Sequence, residues 1–183
     1  MKKTKNNYGI DIFIKEDYKI TNYVANKRIK LILNNLHREM KILDIGCGNK
    51  YITNKIKSEG YDIIGIDKNS LSKWSNKEPD IVMDATKMNF RDNTFDIVLA
   101  IEVLEHCNCI SEIKRVLKPN GLLICSTPTP KTQWIRNILI KLGLLQNQDS
   151  ENHRLFDLRR LPMKNIEYRK MFLRTSQYGV FKK

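Results

Sequence analysis

Residues 43–48 read Leu-Asp-Ile-Gly-Cys-Gly, and 23 positions after Asp44 a second apolar run closes on another acid, Gly65-Ile66-Asp67. An apolar run, two glycines one residue apart and a second apolar run ending in a carboxylate predict a strand, a tight turn, a helix and a second strand. In such a unit the terminal acid lies where it can accept from both hydroxyls of a ribose. The chain is thereby constrained to an α/β architecture, and a nucleoside-containing ligand is the first chemistry to test.

The rest of the chain supplies the remaining elements. Apolar residues recur at Ala25, Ile29, Ile32, Leu33 and Leu36, the spacing of one helical face, with Thr21 and Asn22 available as caps. Lys41 to Ile45 reads as a buried strand. Tyr51, Ile52 and Ile56 suit a helix that Gly60 ends in a left-handed conformation. Asp62–Ile66 and Asp80–Met83 are the next two strands. Thr94–Ile101 is nearly all apolar, the pattern of a parallel strand covered on both faces, so it belongs near the sheet centre. Ile110, Ile113, Val116 and Leu117 repeat at helical intervals up to the turn sequence Lys118-Pro119-Asn120-Gly121, and Leu122–Cys125 is the fifth strand. Residues 131–142 form an amphipathic helix with Trp134, Ile135, Ile138, Leu139 and Leu142 on one side. Its place after the fifth strand admits two roles, a helix docked on the core or a lid over the carboxyl edge of the sheet. Gln146–Asn152 is a loop, and Ile166–Leu173 and Tyr178–Phe181 are antiparallel strands joined at Arg174–Gln177.

These elements add up to a single α/β domain over 1–183, a doubly wound, seven-stranded, mostly parallel sheet with an antiparallel last strand and helices on both faces. Residues 1–40 form an N-terminal helical cap, 41–130 a ligand-binding core, 131–162 a lid or substrate region and 163–183 the strand pair. A chain of 183 residues can bury roughly two-thirds of its unfolded surface in one such domain.

The net charge of +13 is uneven: residues 1–40 carry nine Lys and Arg against four acids, and 151–183 carry nine against three. A basic surface attracts nucleic acid, anionic membrane or phosphorylated small molecules, and a solvated face is the plainer reading. The longest aliphatic run, Ile97–Ile101, is far short of the ~18 residues that span a bilayer. Lys2, Lys3 and Lys5 lead into Asp11, Glu16 and Asp17 instead of an apolar core, unlike a secretory signal, so a cytoplasmic location is expected. Cys47, Cys107, Cys109 and Cys125 do not make a disulfide framework, and His106-Cys107-Asn108-Cys109 lacks the second ligand pair that structural zinc wants, so no metal is expected.

A dinucleotide fingerprint fails at its third glycine, which is Tyr51 here. What remains, Asp44-Ile45-Gly46-Cys47-Gly48, resembles the first motif of class I S-adenosylmethionine-dependent methyltransferases. Asp67 resembles the family's acid at the end of the second strand, and Asp84-Ala85 its adenine-contacting pair after the third. Phe95-Asp96-Ile97-Val98 with Glu102-Val103-Leu104-Glu105-His106 is similar to the fourth strand and its loop. Leu117–Gly121 with Ser126-Thr127-Pro128 matches the fifth, and His153-Arg154-Leu155-Phe156-Asp157 is similar to a segment of many small-molecule members. The resemblance implies S-adenosylmethionine as cofactor. It places Gly46, Cys47 and Gly48 against the methionine moiety, with Asp44 in the same motif, Asp67 and Lys68 by the ribose, Asp84 and Ala85 by the adenine, and Ile101 and Glu102 by the amino end. Lys50 departs from the pattern where the family often has a third glycine; its ammonium can face the cofactor carboxylate or crowd the pocket.

A sulfonium already activates its methyl group, so the protein's main task is alignment, which can supply on the order of 7–11 kcal/mol. If the acceptor is a hydroxyl a base helps, and His106 and His153 are the candidates because imidazole titrates near neutrality. The favoured reading is in-line methyl transfer to a small-molecule acceptor, anionic ones included given the basic flanks. The alternatives are RNA methylation, for which the sequence has no appended RNA-binding module and no Asn-Pro-Pro-Tyr-like box at Ile101–Leu104, and a degenerate, non-catalytic binding or regulatory protein marked by Lys50. One sequence leaves the oligomeric state and the acceptor atom open.

Overall fold

The structure, a computed structural model, describes residues 4–5, 11–12, 19–70, 78–142, 155–171 and 174–183. In chain order the elements are β1 (Thr4–Lys5), β2 (Asp11–Ile12), α1 (Lys19–Leu33), β3 (Lys41–Ile45), α2 (Tyr51–Ser58), β4 (Asp62–Asp67), β5 (Ile81–Val82), β6 (Phe95–Ile101), α3 (Ile110–Val116), β7 (Leu117–Pro128), α4 (Gln133–Lys141), β8 (Lys164–Met171) and β9 (Ser176–Lys182). Single 3-10 turns stand at Pro130–Thr132 and Leu158–Arg160.

Seven strands form one sheet in the order β5-β4-β3-β6-β7-β9-β8. β3 pairs in parallel with β4 and with β6, β4 with β5, and β6 with β7, whereas β9 runs antiparallel to both β7 and β8. The expected architecture is therefore present, with β9 as the reversed strand. The period-2 alternation of strand side chains divides the core into two layers. Ile42, Ile97, Leu99 and Ile124 meet Ile32 and Leu36, at and just beyond α1, and Ile56 of α2 on one face. Leu43, Ile45, Val98, Ala100 and Leu123 meet Ile113 and Val116 of α3 on the other. Burying each such aliphatic side chain contributes about 1.5–3 kcal/mol, which is why β3 and β6, apolar on both faces, occupy the centre.

Some expectations need correction. α1 begins at Lys19, so Thr21 and Asn22 lie within its first turn and do not precede it as caps. The strand expected at Asp80–Met83 contracts to Ile81 and Val82, both exposed, as befits a sheet edge with a neighbour on one side only. The turn at Lys118–Gly121 is real but lies inside β7: Leu117 pairs with Phe95 and Leu122 with Ile97, and the residues between bulge outward with Asn120 at a φ of 66°. β8 starts two residues before the expected Ile166. Gly60 ends α2 at a φ of +87°, as expected. Among the described residues no helix is long and apolar enough to cross a membrane.

Candidate active site

The parallel strands all deliver their carboxyl ends to one margin of the sheet. In sheet order that margin carries Asp84 just after β5, Asp67 at the end of β4, the loop 46–50 after β3, and Glu102 after β6. Strand order reverses between β3 and β6, and at such a switch point the connections leave in opposite directions and open a crevice.

The loop is built around unusual backbone. Gly46 has a φ of +63° and Gly48 of +50°, a region costly for residues with a Cβ. A Cβ on Gly46 would also come to 2.5 Å from Val103 Cγ2, whereas one on Gly48 would meet nothing nearer than the Gly46 carbonyl at 3.9 Å. The Gly48 backbone therefore faces open space. Beneath the loop, buried Asp44 accepts a 2.6 Å hydrogen bond from Thr53 Oγ1. Burial pushes its carboxyl up to about 7 despite that bond, helped by repulsion from Asp67 and Asp80. Cys47 is nearly covered, and burial together with Asp44 and Asp67 pushes its thiol up to about 12.

Lys50 resolves into neither expected role. Its φ of 58° explains why a glycine suits the position. Its ammonium, however, turns to Asp80 Oδ1 at 2.6 Å, while Asp80 Oδ2 accepts from the Gly65 amide at 2.7 Å. Burial opposes ionisation of Asp80, but the bonds from Lys50 and Gly65 prevail and hold its carboxyl below the usual range. The lysine thus clamps the far side of β4.

Asp67 accepts from the Gly48 amide through Oδ2 at 3.1 Å and from the Asn69 amide through Oδ1 at 3.0 Å. A carboxylate has about four lone-pair sites, so two amides leave room for a diol. Asp84 Oδ1 takes the amide and hydroxyl of Thr86 at 2.8 and 2.7 Å, closing a tight turn around Ala85 and drawing the Asp84 carboxyl down. Lys68 is exposed on the same side, near enough to Asp84 to favour its ionised form.

Glu102 stands at a φ of 57°, its amide donating to the Ser126 carbonyl at 2.9 Å. Its carboxylate is gripped by Arg28 of α1 at 2.5 Å and by Ser126 Oγ at 3.0 Å. Sequence reasoning missed Arg28, Thr53 and Asp80. Arg28 lies on the buried flank of α1 one residue before Ile29, and only the fold brings it across 74 positions of sequence to Glu102. Ile101, half-buried, pairs with Ser126. His106 is exposed on the turn after β6, its amide bonded to the Val103 carbonyl at 2.8 Å. His153 lies outside the described residues. The segment after it is anchored: buried Gln177 of β9 accepts from the Leu158 amide at 3.1 Å and donates to the Phe156 carbonyl at 2.6 Å. On α4 Trp134 is 63 % and Ile138 48 % exposed, as is Leu142 just beyond it at 65 %, whereas Ile135 is half-buried.

Residues 43–125 match the family model described as a methyltransferase domain. Over that segment the chain is similar to methyltransferase domains. An uncharacterized protein of Methanocaldococcus jannaschii is 39% identical over 90 residues, 48% of this chain and 40% of that one. The ubiquinone biosynthesis O-methyltransferase of Rickettsia akari is 27% identical over 101 residues, 49% of this chain and 40% of its own length. The chain thus spans less than half the length of these curated relatives. A S-adenosylmethionine-dependent methyltransferase from Archaeoglobus fulgidus superposes with a TM-score of 0.68 at 16% identity, covering 97% of this chain and 100% of that one, a likeness of fold. The methyltransferase family's cofactor, S-adenosylmethionine, matches the carboxylate and glycine chemistry of the margin.

Proposed function

We propose that this chain transfers a methyl group from S-adenosylmethionine to a small-molecule acceptor by in-line displacement. The observation that carries the reading is the row Asp84, Asp67, Gly46–Gly48 and Glu102 along one sheet margin at the switch point. The residues fit the cofactor: Gly48 leaves open space where a Cβ would stand, and Asp67 keeps lone pairs beyond those used by Gly48 and Asn69. Asp67, with Lys68 beside it, would hold the ribose. Asp84 and the Ala85 amide would hold the adenine, and Gly46, Cys47 and Gly48, underpinned by Asp44, the methionyl chain. Ile101 and Glu102 would lie at the amino end. The cofactor supplies a methyl already activated by its sulfonium.

The chain's own work is positioning and exclusion of water. Arg28 and Ser126 hold the Glu102 carboxylate in one orientation, which would position it before anything binds. The exposed apolar stripe of α4, following β7 at the same margin, is suited to close over an acceptor. His106, on the turn after Glu102, and His153 are the candidates to take a proton from a hydroxyl acceptor. The engagement of Lys50 with Asp80 supports a glycine loop that its side chain leaves open.

Incubation with methyl-labelled cofactor and separate pools of low-mass metabolites, RNA and protein tests the proposal. Label in a low-mass product is expected. Label confined to RNA or protein would overturn the small-molecule reading.

A further inference from the structure

Four thiols occur in the chain, and two of them touch: Cys107 Sγ and Cys109 Sγ are 3.1 Å apart. A disulfide bond is about 2.05 Å long, so roughly one ångström separates contact from bond. Cys109 is fully buried at the start of α3, while Cys107 is half-buried, close enough to Asp84 and Lys68 to feel both charges. We propose that Cys107 and Cys109 form a peroxide-responsive thiol pair at the adenine side of the crevice, in which oxidation weakens cofactor binding.

The chemistry divides naturally between the two sulfurs. The Cys109 thiol favours the Cys107 thiolate, which brings Cys107 below the ordinary cysteine value, whereas Cys109 is driven up by Cys107 and by burial. Cys47 and Cys125 are also driven up by burial, which leaves Cys107 as the reactive nucleophile. Its thiolate attacks a hydroperoxide: an S–O bond forms, the O–O bond breaks, and the departing hydroxide or alkoxide takes up a proton. Cys109 Sγ then attacks the Cys107 sulfur. The S–S bond forms, the S–O bond breaks, and hydroxide leaves with the Cys109 proton as water. Two thiols lose two electrons to one peroxide, and a thiol reductant reverses the change.

The route to the cofactor runs through α3. Glu112 accepts from the Met88 amide at 2.8 Å, and Arg115 donates to the carbonyls of Met88 and Phe90 at 2.7 and 2.6 Å and to Asp92 at 2.8 Å. α3 therefore grips the loop that begins at Asp84-Ala85. Drawing Cys109 toward Cys107 pulls the start of that helix, and the strain passes to the loop. This coupling rests on the reading of Asp84 as an adenine-side group; the thiol chemistry does not.

Peroxide treatment of the full chain, followed by peptide mapping and calorimetry with S-adenosylmethionine, tests both halves. The expected map shows a Cys107–Cys109 crosslink and loss of two hydrogens. Cys109→Ser should stop at a sulfenic acid trapped by a dione reagent, and Cys107→Ser should not react. Oxidised protein should bind cofactor at least tenfold more weakly than reduced protein, with affinity restored by reductant. No crosslink, or equal reactivity in Cys107→Ser, overturns the pair; a crosslink with unchanged affinity overturns its effect on binding. Should the reduced parent ignore the cofactor, the methyl-transfer reading and the coupling fall together, and the map still decides the thiol chemistry.

Discussion

Gly46→Ala probes the crevice floor most sharply, because two separable penalties meet at one atom. The φ of +63° is the first and the 2.5 Å approach of an added Cβ to Val103 Cγ2 is the second. A left-handed conformation costs a residue with a Cβ roughly 1–2 kcal/mol. Forcing a methyl into a packed position costs about 1–3 kcal/mol, and Val103, 9% exposed, has little room to move. Together they predict a destabilisation of roughly 2–5 kcal/mol, a large part of the total stability of an ordinary domain. Val103→Ala removes the clashing Cγ atoms at a cavity cost of its own. In the double variant the steric part should disappear and the backbone part remain, giving a favourable coupling of about 1–3 kcal/mol in a double-mutant cycle of urea unfolding. Gly46→Ala within about 0.5 kcal/mol of the parent, or penalties that add without coupling, would refute the packing argument.

Other perturbations are quantified by the same geometry. Asp44 holds a proton in the folded state up to about 7 that it releases near 3.8 when unfolded, so its burial becomes destabilising as pH rises between those values. Parent stability relative to Asp44→Asn should fall by about 4 kcal/mol from pH 4 to above pH 7, read from urea midpoints; a constant difference would show that Asp44 is ionised throughout. Lys50→Gly relieves a left-handed residue and loses a partly screened ion pair, two effects of about 1 kcal/mol that oppose each other. Stability should change by less than about 1 kcal/mol, and a large gain in cofactor affinity would show that the lysine reaches the pocket after all. Trp134→Ala, at an exposed position, should raise the acceptor KM without moving cofactor affinity or the melting temperature; a marked loss of stability would mean α4 is docked on the core.

The central sheet was legible because it obeys a simple rule: strands covered on both faces are apolar at most positions, and β3 and β6, apart from Lys41, Asp44 and Asp96, read that way directly. Gly46, Gly48 and Gly60 were equally legible, since each occupies backbone that other residues avoid. The edge strand β5 was overextended because an exposed edge leaves little patterning to read. α4 shows the limit of periodicity: an apolar face says that something covers it without saying what, and Trp134 and Ile138 of that face stand exposed while Ile135 is half-buried. The clamps Lys50–Asp80, Thr53–Asp44 and Arg28–Glu102 were beyond reach, as each joins residues whose meeting depends on tertiary placement.

Calorimetric titration of S-adenosylmethionine into the parent, Asp67→Ala and Asp84→Ala proteins tests the carboxylate margin directly. Hydrogen bonds to charged acceptors are worth about 1.5–3 kcal/mol each, so the parent should bind and each variant should bind roughly 10–100-fold more weakly. A parent that gives no heat, or variants that hold the cofactor as tightly as the parent, would contradict the account.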